Sequence, residues 1–177
     1  VETWKSNGTP HYIERIPTGE YTLREETAPY GYKIAADVKF TVEDTKEIQK
    51  VSMKDEVVPG RILIEKTDKD TGKGIKGVEF EIRDEDGGVI ETLVTDKDGH
   101  AESEELPIAV FMDRNYVEDI KYFVVETKAA DRYILDSTPH EVMLKYEGDA
   151  PDLVKYTLKL TNTPTEPKLP QNGDNLN

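Results

Sequence analysis

Short segments in which apolar and polar side chains alternate with a period of two dominate this chain. Such alternation is typical of half-buried β-strands, and the 3.6-residue period of an amphipathic helix is scarce. Turn sequences rich in Asp, Gly and Lys separate the segments at 68–74, 84–88 and 96–99. The alternation predicts strands at 20–25, 38–42, 48–55, 61–66, 78–83, 122–127 and 156–162. Short strands with regular turns favour an all-β, Ig-like β-sandwich.

Composition excludes several classes of protein. The 177 residues carry a net charge of −14 and no cysteine. An acidic chain is poorly suited to bind nucleic acid or an anionic membrane surface. Without cysteine there is no disulfide, no thiolate nucleophile and no cysteine-ligated zinc, so an extracellular chain would need another covalent staple. No apolar run approaches the roughly 18 residues of a membrane span, and no signal peptide is visible.

An internal repeat organises the sequence. Residues 21–28 align with 122–129, and residues 51–55 align with 158–162. The second copy contains additional residues at 109–120, which we interpret as a loop insertion in which some helix can form. The repeat therefore predicts two tandem domains of the same fold.

The two copies differ in completeness. Nothing in the first copy matches 61–89, so we expect its first two strands to lie upstream of residue 1 or to come from another chain. We predict that 1–58 is the C-terminal part of a first domain, truncated at its N-terminus. We further predict that 59–164 is a complete second domain and that 165–177 is a disordered, Pro-rich tail. The chain is thus interpreted as an excised part of a longer protein.

Polar residues occupy strand faces that are otherwise apolar. Side chains at i, i+2 and i+4 share a face, which directs Lys66, Glu126 and Asn162 towards the core of the second copy. In the first copy the same rule directs Glu25 and Asp55 inward. Burial favours the neutral forms of an amine and a carboxylic acid, and a neutral amine is a nucleophile.

This combination allows a covalent reaction. A carboxylic acid beside the amine can polarise a carboxamide and shuttle protons, giving a Lys–Asn isopeptide bond and ammonia, or a Lys–Asp bond and water. The same residues could instead form a satisfied buried ion pair with an amide, and the strand pattern alone does not decide. His11, His100 and His140 lack metal-ligand spacing, so we predict neither a metal nor a cofactor.

Three segments resemble a known family. The sequence YTLREETAPYGY at 21–32 is similar to the Tyr-x-Leu-x-Glu-x-x-Ala-Pro-x-Gly-Tyr box of Cna-B-type, prealbumin-like (SpaA-type pilin) domains of Gram-positive surface proteins. Residues 60–82 resemble the opening strands of those domains, which carry the bond-forming lysine. Residues 159–164 resemble the closing strand, which carries the asparagine.

The resemblance assigns roles to the inward residues. It implies that Lys66 and Asn162 are joined by an isopeptide bond and that Glu126 is catalytic as the proton shuttle. In the first copy it implies a catalytic Glu25 and a bond-forming Asp55 whose partner lysine is absent from the chain. Asp in place of the commoner Asn would make water the leaving group.

The second copy departs from the family box. Within 122–133, Ala130 replaces the usual Pro and Arg132 replaces the usual Gly. We therefore expect a reshaped turn after the strand, with Glu126 still in register.

The tail contains a segment similar to the Leu-Pro-x-Thr-Gly sorting signal that sortases use. Asn172 takes the place of Thr. The resemblance implies sortase and peptidoglycan as partners and an extracellular location, anchored to a Gram-positive cell wall. The segment consists of Leu169, Pro170, Gln171, Asn172 and Gly173.

These observations predict a structural stalk or spacer of a cell-wall-anchored adhesin or minor pilin, with single-turnover cross-linking and no multiple-turnover enzyme activity. The alternative is a ligand-binding adhesin module in which loops such as 109–120 contact a host protein or glycan. An exposed aromatic cluster in those loops would favour the alternative.

Overall fold

The computed structural model describes residues 2–148 and 151–165, and all regular structure in these residues is β. The prediction of an all-β fold is confirmed. None of the described residues forms a helix long and apolar enough to cross a membrane. The strands are β1 (Gly19–Leu23), β2 (Val38–Val42), β3 (Gly60–Asp68), β4 (Glu79–Arg83), β5 (Val89–Val94), β6 (His100–Glu102), β7 (Ala109–Met112), β8 (Asn115–Asp119), β9 (Lys121–Lys128), β10 (His140–Met143) and β11 (Val154–Asn162).

Two sheets form the sandwich of the second copy. One has the strand order β10-β9-β4-β5, and the other has the order β11-β3-β6. Along β3, buried side chains alternate with half-buried ones, because every second side chain points into the core. The largest apolar side chains of that core include Ile62, Ile64, Phe80 and Leu144, all exposed by 1% or less.

The first and last strands of the second copy are neighbours. β3 and β11 pair in parallel over their full length, from Val154 opposite Gly60 to Asn162 opposite Asp68. β9 lies in the other sheet and faces them across the core. Three strands that are far apart in sequence therefore lie close together in space: β3 beside β11 in one sheet, and β9 across the core from them.

One predicted strand of the first copy is wrong. β1 and β2 pair antiparallel as a two-stranded sheet, but residues 48–55 form no strand. The equivalent strand of the second copy, β11, is held by its pairing with β3. The described part of the first copy has no strand equivalent to β3, so 48–55 has no ladder to join.

The insertion at 109–120 is a β-hairpin, so the expectation of a partly helical loop is wrong. β7 and β8 pair antiparallel, with Met112 opposite Asn115. The two residues between them, Asp113 and Arg114, have φ values of 48° and 65°. Positive φ at both central positions is the requirement of a tight type I′ hairpin turn, which explains why the segment folds back on itself.

Both copies close with the same local structure. Tyr32 bridges Val57, and Tyr133 bridges Pro164 in the same antiparallel manner. These pairs occupy equivalent positions of the two repeats, as the sequence repeat predicts, while the domain boundary near residue 58 stays a prediction. Backbone hydrogen bonds flank each bridge in the same pattern, from Lys33 to Glu56 and Val58 to Gly31 in the first copy, and from Ile134 to Thr163 and Thr165 to Arg132 in the second.

The turn that precedes each bridge is also the same, so the expected reshaping of the second one is wrong. Arg132 adopts a left-handed φ of 72°, close to the 78° of Gly31. Tyr133 donates its backbone hydrogen bond to Ala130, as Tyr32 does to Pro29. The closing bridge holds the turn, and Arg132 takes a conformation that an L-residue adopts only at some cost.

Candidate functional site

Lys66, Glu126 and Asn162 meet inside the sandwich of the second copy. Lys66 and Asn162 come from the paired strands β3 and β11, and Glu126 comes from β9 in the facing sheet. Each of the three residues is only 2% exposed. The pleat aims all three at the same space, as the alternation predicted.

Glu126 lies between the other two side chains. Its Oε1 accepts a 2.7 Å hydrogen bond from Asn162 Nδ2, and its Oε2 is 2.8 Å from Lys66 Nζ. The second contact is an ion pair. Lys66 Nζ also donates a hydrogen bond to the backbone oxygen of Thr161 at 3.2 Å.

The carboxamide oxygen of Asn162 is buried without a hydrogen-bond partner. A buried orphan acceptor is unusual, because most buried polar atoms find a partner. Rotation of the amide by 180° exchanges its oxygen and nitrogen, and would place Oδ1 opposite Glu126 Oε1. A protonated Glu126 could then donate to that oxygen, and the 2.7 Å separation suits an O–H···O hydrogen bond.

A buried aromatic ring lines one side of this site. Lys66 Nζ lies 5.6 Å from the ring centroid of Phe80, which is fully buried. In such a buried site the attraction between amine, acid and amide is stronger than in water. The arrangement can hold an amine, a proton shuttle and an acceptor carboxamide together, which are the parts that isopeptide formation needs.

A further buried acid lies beside this cluster and was missed by the sequence reasoning. Asp68 follows Lys66 by two positions on the same face of β3 and is 8% exposed. Its Oδ2 accepts a 2.8 Å hydrogen bond from the Tyr133 hydroxyl, and its Oδ1 accepts from the backbone N–H of Thr71 at 2.8 Å. Its position two residues after Lys66 could have indicated that Asp68 points inward. However, Asp68 also begins the turn sequence at 68–74, which favours an exposed residue.

These contacts shift both ionisation equilibria. The hydrogen bond from Tyr133 is the main reason that the pKa of Asp68 is lowered, and the hydrogen bond from the Thr71 N–H lowers this pKa further. The same bond to Asp68, followed by burial, raises the pKa of Tyr133. Asp68 therefore holds its negative charge at neutral pH.

The candidate residues of the first copy are not brought together. Glu25 is half-buried, and its Oε2 accepts a 2.6 Å hydrogen bond from the backbone N–H of Ala35. Asp55 lies 3.9 Å from Arg114 of the hairpin turn. Among the described residues no lysine forms an ion pair with either acid. Their assignment as a catalytic and bond-forming pair stays a prediction.

Two further expectations concern other parts of the chain. The sorting-signal-like segment 169–173 lies outside the described residues. Over residues 2–148 and 151–165, no group of His, Asp or Glu side chains is arranged to hold a metal ion.

Comparison with known families identifies the class of protein. The model of the family described as "SpaA: Prealbumin-like fold domain" matches residues 1–57 and 60–159. The chain therefore belongs to this family of prealbumin-like domains. Comparison with curated protein sequences gave no match.

Solved structures that match this chain include proteins of Bacillus anthracis, Streptococcus pyogenes and Corynebacterium diphtheriae. The TIE protein of Bacillus anthracis is 26% identical, with a TM-score of 0.55 over 84% of this chain and 26% of that one. The T6 backbone pilin of Streptococcus pyogenes is 24% identical (TM-score 0.40; 56% and 19% covered). The major pilin SpaA of Corynebacterium diphtheriae, described as having stabilising isopeptide bonds, is 23% identical (TM-score 0.47; 59% and 30% covered). The chain thus spans less than a third of each of these proteins.

Proposed function

We propose that this chain is a structural stalk or spacer segment of a Gram-positive cell-wall-anchored adhesin or minor pilin. An autocatalytic isopeptide bond between Lys66 and Asn162 stiffens it, with Glu126 as the proton shuttle. The observation that carries the proposal is the contact of these three side chains within one buried site, at 2.7 Å and 2.8 Å from the carboxylate. Membership of the prealbumin-like family supports it.

The reaction balances within the site. A proton passes from the Lys66 ammonium to Glu126, which gives the neutral pair that burial favours. The Lys66 nitrogen then attacks the carboxamide carbon of Asn162 while Glu126 donates a proton to its oxygen. Glu126 next takes a proton from the attacking nitrogen and passes it to Nδ2. As the carbonyl re-forms, the hydroxyl proton returns to Glu126, the bond from carbon to Nδ2 breaks, and that nitrogen leaves with three protons as ammonia. Each chain reacts once.

The position of the bond suits a mechanical role. Because β3 and β11 are parallel, tension from the start of β3 to the end of β11 would shear the ladder between them. A bond from Lys66 to Asn162 carries that tension covalently and leaves the residues between 66 and 162 outside the force path. The chain-entropy contribution of a cross-link of this span is roughly 4–5 kcal/mol.

The intact mass of the purified chain tests the proposal. We expect the wild type to be lighter than its sequence by one ammonia, and Lys66→Ala and Glu126→Ala to lack this loss. Lys159→Ala is a matched control, because Lys159 lies on β11 but pairs with Glu65 on the outside of the sheet. A wild-type mass equal to that of the sequence would disprove the bond.

The cellular setting is part of the proposal. We infer that sortase and peptidoglycan are the partners of the parent protein, on the basis of the segment 169–173, and that the chain lies outside the cell. Incubating the chain with a purified sortase and a peptidoglycan-like amine acceptor tests this, with Gly173→Ala as the control. Absence of any transpeptidation product would contradict recognition of this segment.

A further inference from the structure

The β7–β8 hairpin places its aromatic side chains against the first copy of the repeat. The ring of Phe111 lies 5.1 Å from that of Tyr32 at an angle of 64°, and the ring of Tyr116 lies 5.1 Å from that of Tyr30 at 78°. Both are edge-to-face arrangements, which aromatic pairs favour. The side chain of Tyr32 is buried, at 7% exposure.

The contact extends to the backbone at Gly31. A Cβ at this position would lie 2.5 Å from Phe111 Cζ, closer than real Cβ atoms come to another heavy atom. Gly31 also has a φ of 78°, which disfavours any L-residue. The Phe111 ring thus rests on the main chain of the turn between Tyr30 and Tyr32, and both this contact and the backbone conformation favour glycine there.

Other contacts join the same two regions. Tyr30 packs edge-to-face on Tyr146 at 5.0 Å, and its hydroxyl donates a 3.1 Å hydrogen bond to the backbone oxygen of that residue. Arg114 at the hairpin tip lies 3.9 Å from Asp55. Each contact pairs a residue before position 58 with one after position 108.

The segment between the copies is also fixed. The backbone N–H of Val58 donates to Gly31 at 2.8 Å, while its side chain is fully buried in the core cluster of the second copy. Neighbouring domains in one chain usually move relative to each other unless their interface is substantial. A linker bound on both sides leaves little freedom for such motion.

Side chains of the hairpin lie on two opposite faces. Phe111 and Tyr116 are cross-strand partners and share the face turned to the first copy. Val110 and Met112 alternate with Phe111 and lie on the other face, at 41% and 67% exposure, while Tyr116 packs on Tyr30 and remains 44% exposed. Only one face of the hairpin therefore carries the inter-copy contact.

We propose that the hairpin Ala109–Asp119 is a clamp that binds the Tyr30–Gly31–Tyr32 turn of the preceding repeat and fixes the orientation of the two copies. The Phe111 and Tyr116 rings are then engaged within the chain, although Tyr30 and Tyr116 keep 47% and 44% of their surface exposed. The contacts of the clamp do not include Lys66, Glu126 or Asn162. Failure of either proposal therefore leaves the other unaffected.

Spin-label distances test the clamp directly. Because the chain has no cysteine, Thr22→Cys on β1 and Lys97→Cys in the turn after β5 give two unique labels on the two copies. In this background we expect a narrow distance distribution, and an at least twofold broader one after Phe111→Ala with Tyr116→Ala. Val110→Ala with Met112→Ala is the matched control on the outer face and should stay narrow.

A glycine pair provides a second, less disruptive test. Gly31→Ala and Gly72→Ala both place alanine at a positive φ, 78° and 71°, but only the first collides with Phe111. We expect Gly31→Ala to broaden the distribution and Gly72→Ala to leave it unchanged. A distribution that is already broad in the parent, or equally narrow in Gly31→Ala and the double aromatic variant, would overturn the clamp.

Discussion

Tyr133 donates a 2.8 Å hydrogen bond to Asp68 across the open end of the second sandwich. Asp68 lies two residues after Lys66 on β3, and Tyr133 bridges Pro164, two residues after Asn162. This hydrogen bond therefore fastens together the three chain segments that lead away from the buried cluster. At the end of the sandwich, this hydrogen bond holds the same chain segments that the proposed Lys66–Asn162 bond would join in the core.

This hydrogen bond predicts a pH-dependent contribution to stability. It lowers the pKa of Asp68 below its usual 3.8. A depressed carboxylate pKa stabilises the folded state above the unfolded value, and that contribution is lost as pH falls through the folded value. We expect Tyr133→Phe to lower the free energy of unfolding at neutral pH, with the difference from wild type shrinking as the pH falls through the lowered pKa of Asp68. Urea unfolding across this range measures it.

Tyr122→Phe is the control for that experiment. The Tyr122 hydroxyl is also buried, but it donates to an uncharged acceptor, the backbone oxygen of Pro107, at 2.6 Å. Its effect should be independent of pH in the acid range. If Tyr133→Phe behaves like Tyr122→Phe between about pH 2 and about pH 7, the charge of Asp68 does not contribute as argued.

Tyr122 gives a prediction at the opposite end of the pH scale. Burial raises its pKa to about 12. A raised tyrosine pKa stabilises the folded state below the unfolded value near 10, and this contribution is lost as pH rises through the folded value. We expect wild-type stability to fall between about pH 10 and about pH 12 and Tyr122→Phe to flatten that fall. An identical alkaline slope in both proteins would contradict this assignment.

Two variants of the buried cluster that cannot form the isopeptide bond should differ in stability. Glu126→Ala leaves the amine of Lys66 without its counter-charge, at a cost of about 3–5 kcal/mol for a broken buried pair. Lys66→Met with Glu126→Gln removes both charges, and the amide introduced at position 126 still faces the Asn162 amide. Both proteins lack the bond, so their difference reports the buried charge together with the cavity that Glu126→Ala leaves, and we expect the double variant to be more stable by about 2–4 kcal/mol.

Chemical denaturation at neutral pH measures this difference. Intact masses must first show that neither variant has lost ammonia. A double variant no more stable than Glu126→Ala would mean that Lys66 is not held as an uncompensated charge when Glu126 is absent.

The strand faces were predictable because alternation along a strand is a local property. The pleat alone directed Lys66, Glu126 and Asn162 inward, and the structure brings all three together. Which residues lie opposite one another across two sheets is non-local, so the contact of Tyr133 with Asp68 could not be foreseen. Tyr133 lies outside any strand, and Asp68 is the last residue of β3, so alternation does not indicate that they meet.

Two wrong predictions, a strand at 48–55 and a partly helical loop at 109–120, also arise because pairing partners are not encoded locally. The alternation at 48–55 is genuine, but the described first copy has no strand equivalent to β3 with which it could pair. The sequence at 109–120 does not indicate a hairpin, because its turn residues, Asp113 and Arg114, lack the glycine that usually marks a type I′ turn. Its aromatic residues find their partners in a turn of the other copy, which no local pattern encodes.

The turn after β9 offers a stabilising substitution. Arg132 has a φ of 72°, and the equivalent residue of the first copy is Gly31. An L-residue in this conformation costs about 1–2 kcal/mol, whereas glycine costs about 0.5–1 kcal/mol through greater freedom in the unfolded chain. The contacts of Arg132 that hold the turn come from its backbone oxygen, which accepts hydrogen bonds from Thr165.

We therefore expect Arg132→Gly to raise the free energy of unfolding by up to about 1 kcal/mol, with the same reaction at Lys66 and Asn162. Asp131→Gly is the matched control, because Asp131 lies in the same turn without a positive φ and should lose stability through chain entropy alone. Thermal and urea unfolding of the three proteins measure the order. If Arg132→Gly is destabilised as much as Asp131→Gly, the side chain of Arg132 makes a contribution that outweighs the strain of its backbone.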